Sequence, residues 1–362
     1  MSLSYILGLL KKFTKHYCPI SAKISNFETN KSRLITFSTF FGLNLLQNLT
    51  KMSSTGVGVE GGLGKMKFID IGANLTDDMY SGMYNGSKKH EPDIDKVLSR
   101  AWNVGLEKIF ITAGNLSDVR NSLKLANTND RLYTTVGVHP TRCSEFDTEF
   151  PTPSEYIQNL KQEFDSNIDK IVALGEFGLD YERTKFCDVE TQKKYFRLQL
   201  EQLGPYTNLP LFLHCRAAAT DLHEILSQNL SSFPRGGVVH SFDGSEEEMK
   251  NFVQLGLHIG LNGCSLKTEE NCKVVKEIPV ERILFETDAP WCGIRPSHFS
   301  SSFVKTKFPA VKKNYDENMM YKTRNEPHTI LNILEIVAHI KGDMDPADLA
   351  SKVYENTLKL FS

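Results

Sequence analysis

The chain has 362 residues, 40 % of them hydrophobic, with a net charge of −2 at neutral pH, which allows one large core or two small ones. The small net charge hides an asymmetry: residues 1–51 hold seven Lys/Arg and one acid, leaving 35 basic and 43 acidic residues for the rest. An acidic body argues against a protein that coats duplex DNA through a broad basic face, and it suits a site built from carboxylates and metal ions.

Taken in chain order, residues 1–66 read as a basic N-terminal extension. Its first 50 residues are basic, hydroxyl-rich and poor in acids, the composition of an organelle transit peptide or of a dispensable leader ahead of Met52 or Met66. The apolar runs there are too short for a membrane span. The stretch STGVGVEGGLGKM, with five glycines, reads as a flexible linker, so the folded domain is expected over 67–362. The seven cysteines are odd in number and dispersed, with no C-x-x-C pair. They read as reduced thiols of an intracellular protein, in cytoplasm or nucleus unless the leader redirects it.

From Lys67 onward, short β-like runs alternate with amphipathic segments. The expected strands are KFIDIGANL, KIFITAG, LYTTVGVHP, KIVALGEFGLD, LPLFLHC, GGVVHSF, HIGLNG and RILFETDAP. Segments such as PDIDKVLSRAWNVG, SDVRNSLKLANTN, ETQKKYFRLQLEQL and SEEEMKNFVQLG lie between them, several opening with a Ser or Asp that suits an N-cap. Alternation of this kind implies an α/β fold with a parallel sheet, and eight units over about 300 residues fit a (β/α)8 TIM-type barrel. A doubly wound open sheet has the same periodicity, but no glycine-rich phosphate loop follows any strand.

Active sites of such barrels lie at the carboxyl ends of the strands. Those ends carry Asp70 and Asn74, then His139, Glu176, His214, His240, Asn262 and Asp288. Each has a structural explanation when taken alone: His214 as a core histidine, Asp288 as a turn cap before Ala289-Pro290, Glu176 as the partner of an arginine. Three histidines and two carboxylates closing five strands point together to a site. Imidazoles and carboxylates of this kind share a divalent cation, or two, and a metal resolves the cost of placing Glu176 where a buried strand ends. Two such ions suit the hydrolysis of a phosphodiester.

At these residues the sequence resembles the TatD family of metal-dependent deoxyribonucleases, in its eukaryotic branch, through FIDIGANLTD, TVGVHPTRC, VALGEFGLDYER, FLHCR, GGVVHSFDG, NGCSLKT, ETDAPWC and RNEP. The resemblance implies a hydrolase that removes nucleotides from DNA as a 3′→5′ exonuclease on single-stranded ends, using one or two Mg2+ or Mn2+ ions, with Zn2+ as an alternative. It implies metal ligands at Glu176, His214, His240 and Asp288, and places His139 near the scissile phosphate. Asp288, with a second oxygen free to take a proton, is the expected general base. Where most of the family opens with D-x-H-x-H, this chain reads Asp70-Ile71-Gly72-Ala73-Asn74 and so loses a histidine pair at one metal position. A histidine three residues after HCR is also replaced, by Ala219.

For substrate contacts, Asn74 and Arg216 stand beside the expected ligands. Arg216 serves either a phosphate oxygen or a salt bridge to a neighbouring loop. The long connection Trp291–Pro327 interleaves Phe303, Lys305, Lys307, Phe308, Lys312, Lys313 and Tyr315, a pattern shared by single-strand binding loops and by solvated loops with a small local core. Lys305 and Lys307 are its expected DNA contacts. No obligate protein partner is evident. The rival enzyme class is an amidohydrolase acting on a small amide or an aminoacyl-tRNA ester; such enzymes usually need an H-x-H pair on the first strand.

Overall fold

The computed structural model describes residues 66–312 and 315–362. The expected extension over residues 1–66 therefore lies, apart from Met66, outside the described residues. Eight parallel strands form one sheet in chain order: β1 (Phe68–Ala73), β2 (Leu106–Ile111), β3 (Leu132–Val136), β4 (Ile171–Asp180), β5 (Leu211–Arg216), β6 (Gly237–Val239), β7 (His258–Leu261) and β8 (Ile283–Phe285). Each overlaps a run that the sequence marks as a strand. Just beyond their ends the first and last strands meet, where the Asp288 amide donates to the Gly72 carbonyl at 2.8 Å and the Asn74 amide to Ala289 at 2.6 Å. The sheet closes into a (β/α)8 barrel.

Asp70, one of the strand-end candidates, belongs to that closure and not to the site. Its carboxylate accepts from the Gly72 amide at 3.2 Å, the Thr287 amide at 3.0 Å and the Thr287 hydroxyl at 2.5 Å. The reason is strand alternation. Ile69 and Ile71 point into the barrel, so Asp70 between them faces the seam with β8.

Helices α1 (Ile94–Asn103), α2 (Leu116–Ala126), α3 (Pro153–Ser166), α4 (Val189–Thr207), α5 (Ala219–Gln228), α6 (Glu246–Gln254) and α7 (Glu269–Glu277) follow the first seven strands, and α8 (Ile330–Ile340) and α9 (Pro346–Phe361) follow the last. Side-chain caps start several of them as the sequence suggests. Asp188 accepts from the Thr191 amide before α4, and Ser245 with Glu248 forms a reciprocal capping box before α6. The core has two layers. Ile71, Phe110, Ala173, Phe212, Val238 and Leu284 fill the barrel interior, and a larger cluster lies between sheet and helices. Phe212 is the layer directly beneath the site, its ring 4.7 Å from that of His240. Truncating so buried an aromatic costs about 3–5 kcal/mol and would drop the floor under that histidine.

The connection after β8 is long and tied down at its far end. It carries a short turn of helix at Phe299–Phe303 and pairs Ala310–Val311 with Met320–Tyr321. Arg324, fully buried, makes a bidentate ion pair to Asp93 at 2.7 Å and a further bond to Glu326, which is held in turn by Arg100. Among the described residues no helix is long and apolar enough to cross a membrane.

Candidate functional site

The carboxyl ends of the strands surround a cavity of about 680 Å³. Glu176 is among the residues that line it. Gly178, two residues on, has φ +143° and lies so close to the His214 carbonyl that a Cβ would collide with it. Glycine therefore lets β4 press against β5, and alternation along β4 aims Glu176 and Asp180 at the same imidazole.

Three histidines converge on one oxygen. Glu176 Oε1 is 2.9 Å from His214 Nδ1, 2.8 Å from His240 Nε2 and 3.5 Å from His139 Nε2. His214 Nδ1 and His240 Nε2 are themselves 3.4 Å apart. The ligand atoms of His139, Glu176 and His214 lie within 4.8 Å of one another, the spacing of groups that share an ion. Burial opposes the charge on Glu176, yet the charge of His240 and the hydrogen bonds from His214 and His240 hold its carboxyl well below the usual range. Burial likewise opposes the charge on His240, but the Glu176 and Glu286 carboxylates raise it well above an ordinary imidazole. His139 is pushed down to about 3 by burial and by His214, so it is a neutral ring. Its Nδ1 accepts from the Thr141 amide at 3.1 Å and leaves Nε2 facing the cavity. A cluster of imidazoles around one buried carboxylate oxygen fits a divalent cation.

Asp288 lines the same cavity. Its Oδ1 accepts from Asn74 Nδ2 at 2.9 Å and its Oδ2 from the Cys292 thiol at 3.1 Å. Burial pushes it up to about 6 against the pull of His240, with Glu286 and Glu176 repelling it further. Asn74 is thus engaged with Asp288, and with the Thr112 hydroxyl at 2.7 Å, while it also lines the cavity.

Several contributors were not expected from the sequence. Asp180 accepts from His214 Nε2 at 3.0 Å and pairs with Arg183 at 2.7 Å, which together bring it to about 2 against its burial. Its position four residues after Glu176 in the same strand was a readable signal. Glu286 lies one layer below, fully buried, holding the Ser241 amide and Asn262 Nδ2 with Oε1. Its Oε2 sits 3.5 Å from His240 Nδ1, and neither atom has a hydrogen-bond partner. That spacing is an ion-pair distance, too long for a firm hydrogen bond. Asn262, expected at the site, thus acts beneath it.

The expected substrate contacts divide. Arg216 lines the cavity, half-exposed, with Glu182 3.5 Å away. Lys307 lines a neighbouring cavity of about 940 Å³. Lys305 lines neither; it is exposed and its backbone amide is bound by Glu335. Asn325 reaches back to the Thr287 carbonyl at 3.0 Å, one residue from Asp288.

Comparison with known proteins places the chain as a whole, without reference to individual site residues. A fission yeast protein called deoxyribonuclease Tat-D is 43 % identical over 302 residues, covering 82 % of this chain and 96 % of its own. A Citrobacter rodentium protein called 3′-5′ ssDNA/RNA exonuclease TatD is 32 % identical over 81 % of this chain and 97 % of its own. Among solved structures, a TatD family hydrolase from Entamoeba histolytica superposes with a TM-score of 0.77 at 41 % identity, over 82 % of this chain and 98 % of that one. An uncharacterized amidohydrolase from Saccharomyces cerevisiae gives 0.72 at 32 % identity, over 82 % and 100 %. Residues 69–362 match the family described as TatD related DNase, and the chain belongs to that family.

Proposed function

We propose that this protein is a metal-dependent deoxyribonuclease that removes nucleotides from the 3′ ends of single-stranded DNA. The observation that carries the reading is the convergence of His139, His214 and His240 on one buried oxygen of Glu176, in a cavity that Asp288 also lines. Glu176, His214, His240 and Asp288 would hold Mg2+ or Mn2+, with Zn2+ also suited to so much imidazole. Such an ion supplies positive charge against the phosphoryl oxygens.

The chain's own residues do the rest. Asn74 and Cys292 fix the Asp288 carboxylate by one hydrogen bond to each oxygen, so its remaining lone pairs point at a set place in the cavity. From there it takes the proton of the attacking water. Neutral His139, oriented by Thr141, donates from Nε2 to a phosphate oxygen or to the leaving oxygen. Arg216 reaches a second phosphate oxygen, and Glu182 at 3.5 Å is a loose partner that it can leave.

The test uses single-stranded DNA labelled at either end, incubated with Mg2+, Mn2+ or EDTA, beside a covalently closed single-stranded circle. Stepwise shortening from the 3′ end, abolished by EDTA, with the circle resistant, is the expected result. Rapid cutting of the circle would identify an endonuclease instead, and no cutting of any strand with either metal would remove the reading.

A further inference from the structure

Two cavities open side by side on the catalytic face, and they differ in charge. The catalytic cavity is lined by Glu176 and Asp288 and also by Asp77, Asp118 and Asp243. Its three arginines each have an acidic neighbour: Arg183 with Asp180 at 2.7 Å, Arg216 with Glu182 at 3.5 Å and Arg142 with Glu145 at 3.6 Å. The neighbouring cavity of about 940 Å³ has no acid among its lining residues. Four basic side chains, Arg295, Lys307, Lys312 and Lys322, face it, all exposed, and no carboxylate of the described residues pairs with them. A fifth, Arg324, is spent on Asp93 and Glu326. One large side chain lines both cavities. Trp291, three residues after Asp288, is half-exposed at the rim they share.

We propose that the second cavity is a strand-holding subsite: single-stranded nucleic acid leaves the catalytic cavity across Trp291 and lays its phosphates against Arg295, Lys307, Lys312 and Lys322. The proposal rests on the exonuclease reading, and it adds where the uncut part of the strand runs. An anionic strand extended along the acidic rim would meet like charges, and the arginines there are already neighboured by acids. Across Trp291 it meets four cations with no carboxylate partner among the described residues, and an indole on which a base can stack. Stacking plus a basic track is how single strands are held without regard to sequence. Phe308, whose ring packs edge-on to His328 at 4.3 Å, gives the cavity an apolar wall for a further base. The cavity is of the size that takes such ligands.

The chain has two tryptophans, which makes the proposal directly measurable. Trp102 lies half-buried beneath the Arg131 guanidinium, 3.9 Å from its ring centre, so Trp102→Phe leaves Trp291 as the sole reporter. Oligothymidylates of two to eight nucleotides are titrated into this protein in EDTA, where no cutting occurs. Quenching of Trp291 should appear, and affinity should rise by about tenfold per stacked base added beyond the terminal one. Adding Lys307→Ala and Lys322→Ala should flatten the dependence on length. It should also make the plot of log affinity against log salt shallower by roughly 0.7 for each phosphate contact removed. Both lysines are exposed surface positions, and an unchanged melting temperature checks the fold.

Length and salt dependence as steep in the double variant as in the parent would overturn the path. Equal quenching by heparin, which has no bases, would reduce the cavity to a plain anion site and also overturn it. Because the binding arm needs no turnover, the two readings fail separately. Exonuclease activity with variant-insensitive binding sinks only the path, whereas length-dependent quenching without any DNA cleavage supports the path and sinks the exonuclease reading.

Discussion

Replacing Asp288 by asparagine separates general-base work from metal holding. The residue has φ +51°, a left-handed conformation that Asp and Asn both accept and that alanine would adopt at a cost. The amide oxygen of the introduced asparagine can still accept from Asn74, while its NH2 group turns to the Cys292 sulfur. Exchanging a charged acceptor for a neutral one weakens that hydrogen bond by about 1 kcal/mol. Opposing this, Glu286 and Glu176 no longer repel a third buried carboxylate, the repulsion that with burial lifts Asp288 to about 6. The metal-free variant should therefore melt within a few degrees of the parent. Turnover on labelled single strands should fall by at least about a hundredfold, the lower end of what a positioned general base contributes. Glu176→Gln provides the contrast. It removes the negative charge on which three imidazoles converge, so it should lose metal affinity first and recover partly in excess Mn2+. If excess Mn2+ restored the Asp288→Asn protein to near-parent rates, Asp288 would be a ligand only and not the general base.

Glu286→Gln keeps an acceptor for Ser241 and Asn262 but removes the anion beside His240; Mn2+ affinity by calorimetry should fall by roughly 10–100-fold, as for other carboxylates behind metal-binding histidines, and unchanged affinity would rule out that bracing. Burial pushes Asp70 up to about 8, against the Thr287 and Gly72 hydrogen bonds, so the fold favours its protonated form. The stability this provides is full below the unfolded carboxyl range, near pH ~4, and is lost as pH rises through 8. The melting temperature of the metal-free protein should therefore fall toward alkaline pH and Asp70→Asn should flatten the slope; a rise with pH would contradict the assignment. A chain begun at Met66 should keep its melting temperature and nuclease activity, since residues 69–362 carry the family match, and loss of soluble protein would misplace the boundary. Calorimetric titration of the metal-free protein should give one tight ion per chain, with a second appearing only alongside a phosphodiester analogue; two tight ions without it would refute an uneven pair of ion positions.

The barrel was legible because eight apolar runs alternate with amphipathic ones, and because parallel strands place their polar ends on one face. That made His139, Glu176, His214, His240 and Asp288 readable as a set before any geometry. What was not legible depends on closure and packing. Asp70 looked like a site residue from its place at a strand end, yet one residue of alternation turns it to the seam with Thr287. Asn74 meets Asp288 only because β1 and β8 close on one another, across 214 residues, whereas Cys292 reaches it locally, from the turn four residues on. Asp180 was the avoidable miss, since a four-residue offset along a strand returns to the same face. Lys305 and Lys307 are two residues apart, but the loop's fold sends only Lys307 to a cavity. Arg324 went to a buried ion-pair cluster with Asp93 and Glu326, which anchors the loop.

The departure at the first strand has a physical counterpart in the barrel. A Cβ on Gly72 would lie 2.8 Å from Glu286 Oε2 and 3.1 Å from the Phe212 ring, so the room a histidine would need is taken by the carboxylate and the aromatic beneath the site. The remaining donors are uneven as a result. The imidazoles of β3, β5 and β6 crowd one side, around Glu176, whereas the β1 and β8 side has Asp288, the Asn74 amide and the Cys292 thiol. The nitrogen-rich donor set on the Glu176 side would suit an ion bound tightly in the resting protein. The oxygen-poor Asp288 side resembles sites where a hard cation keeps its waters and is completed by substrate phosphates. If the second ion is completed by substrate in this way, the full charge would assemble only with a strand end in the cavity, and catalysis would be coupled to the presence of a phosphate.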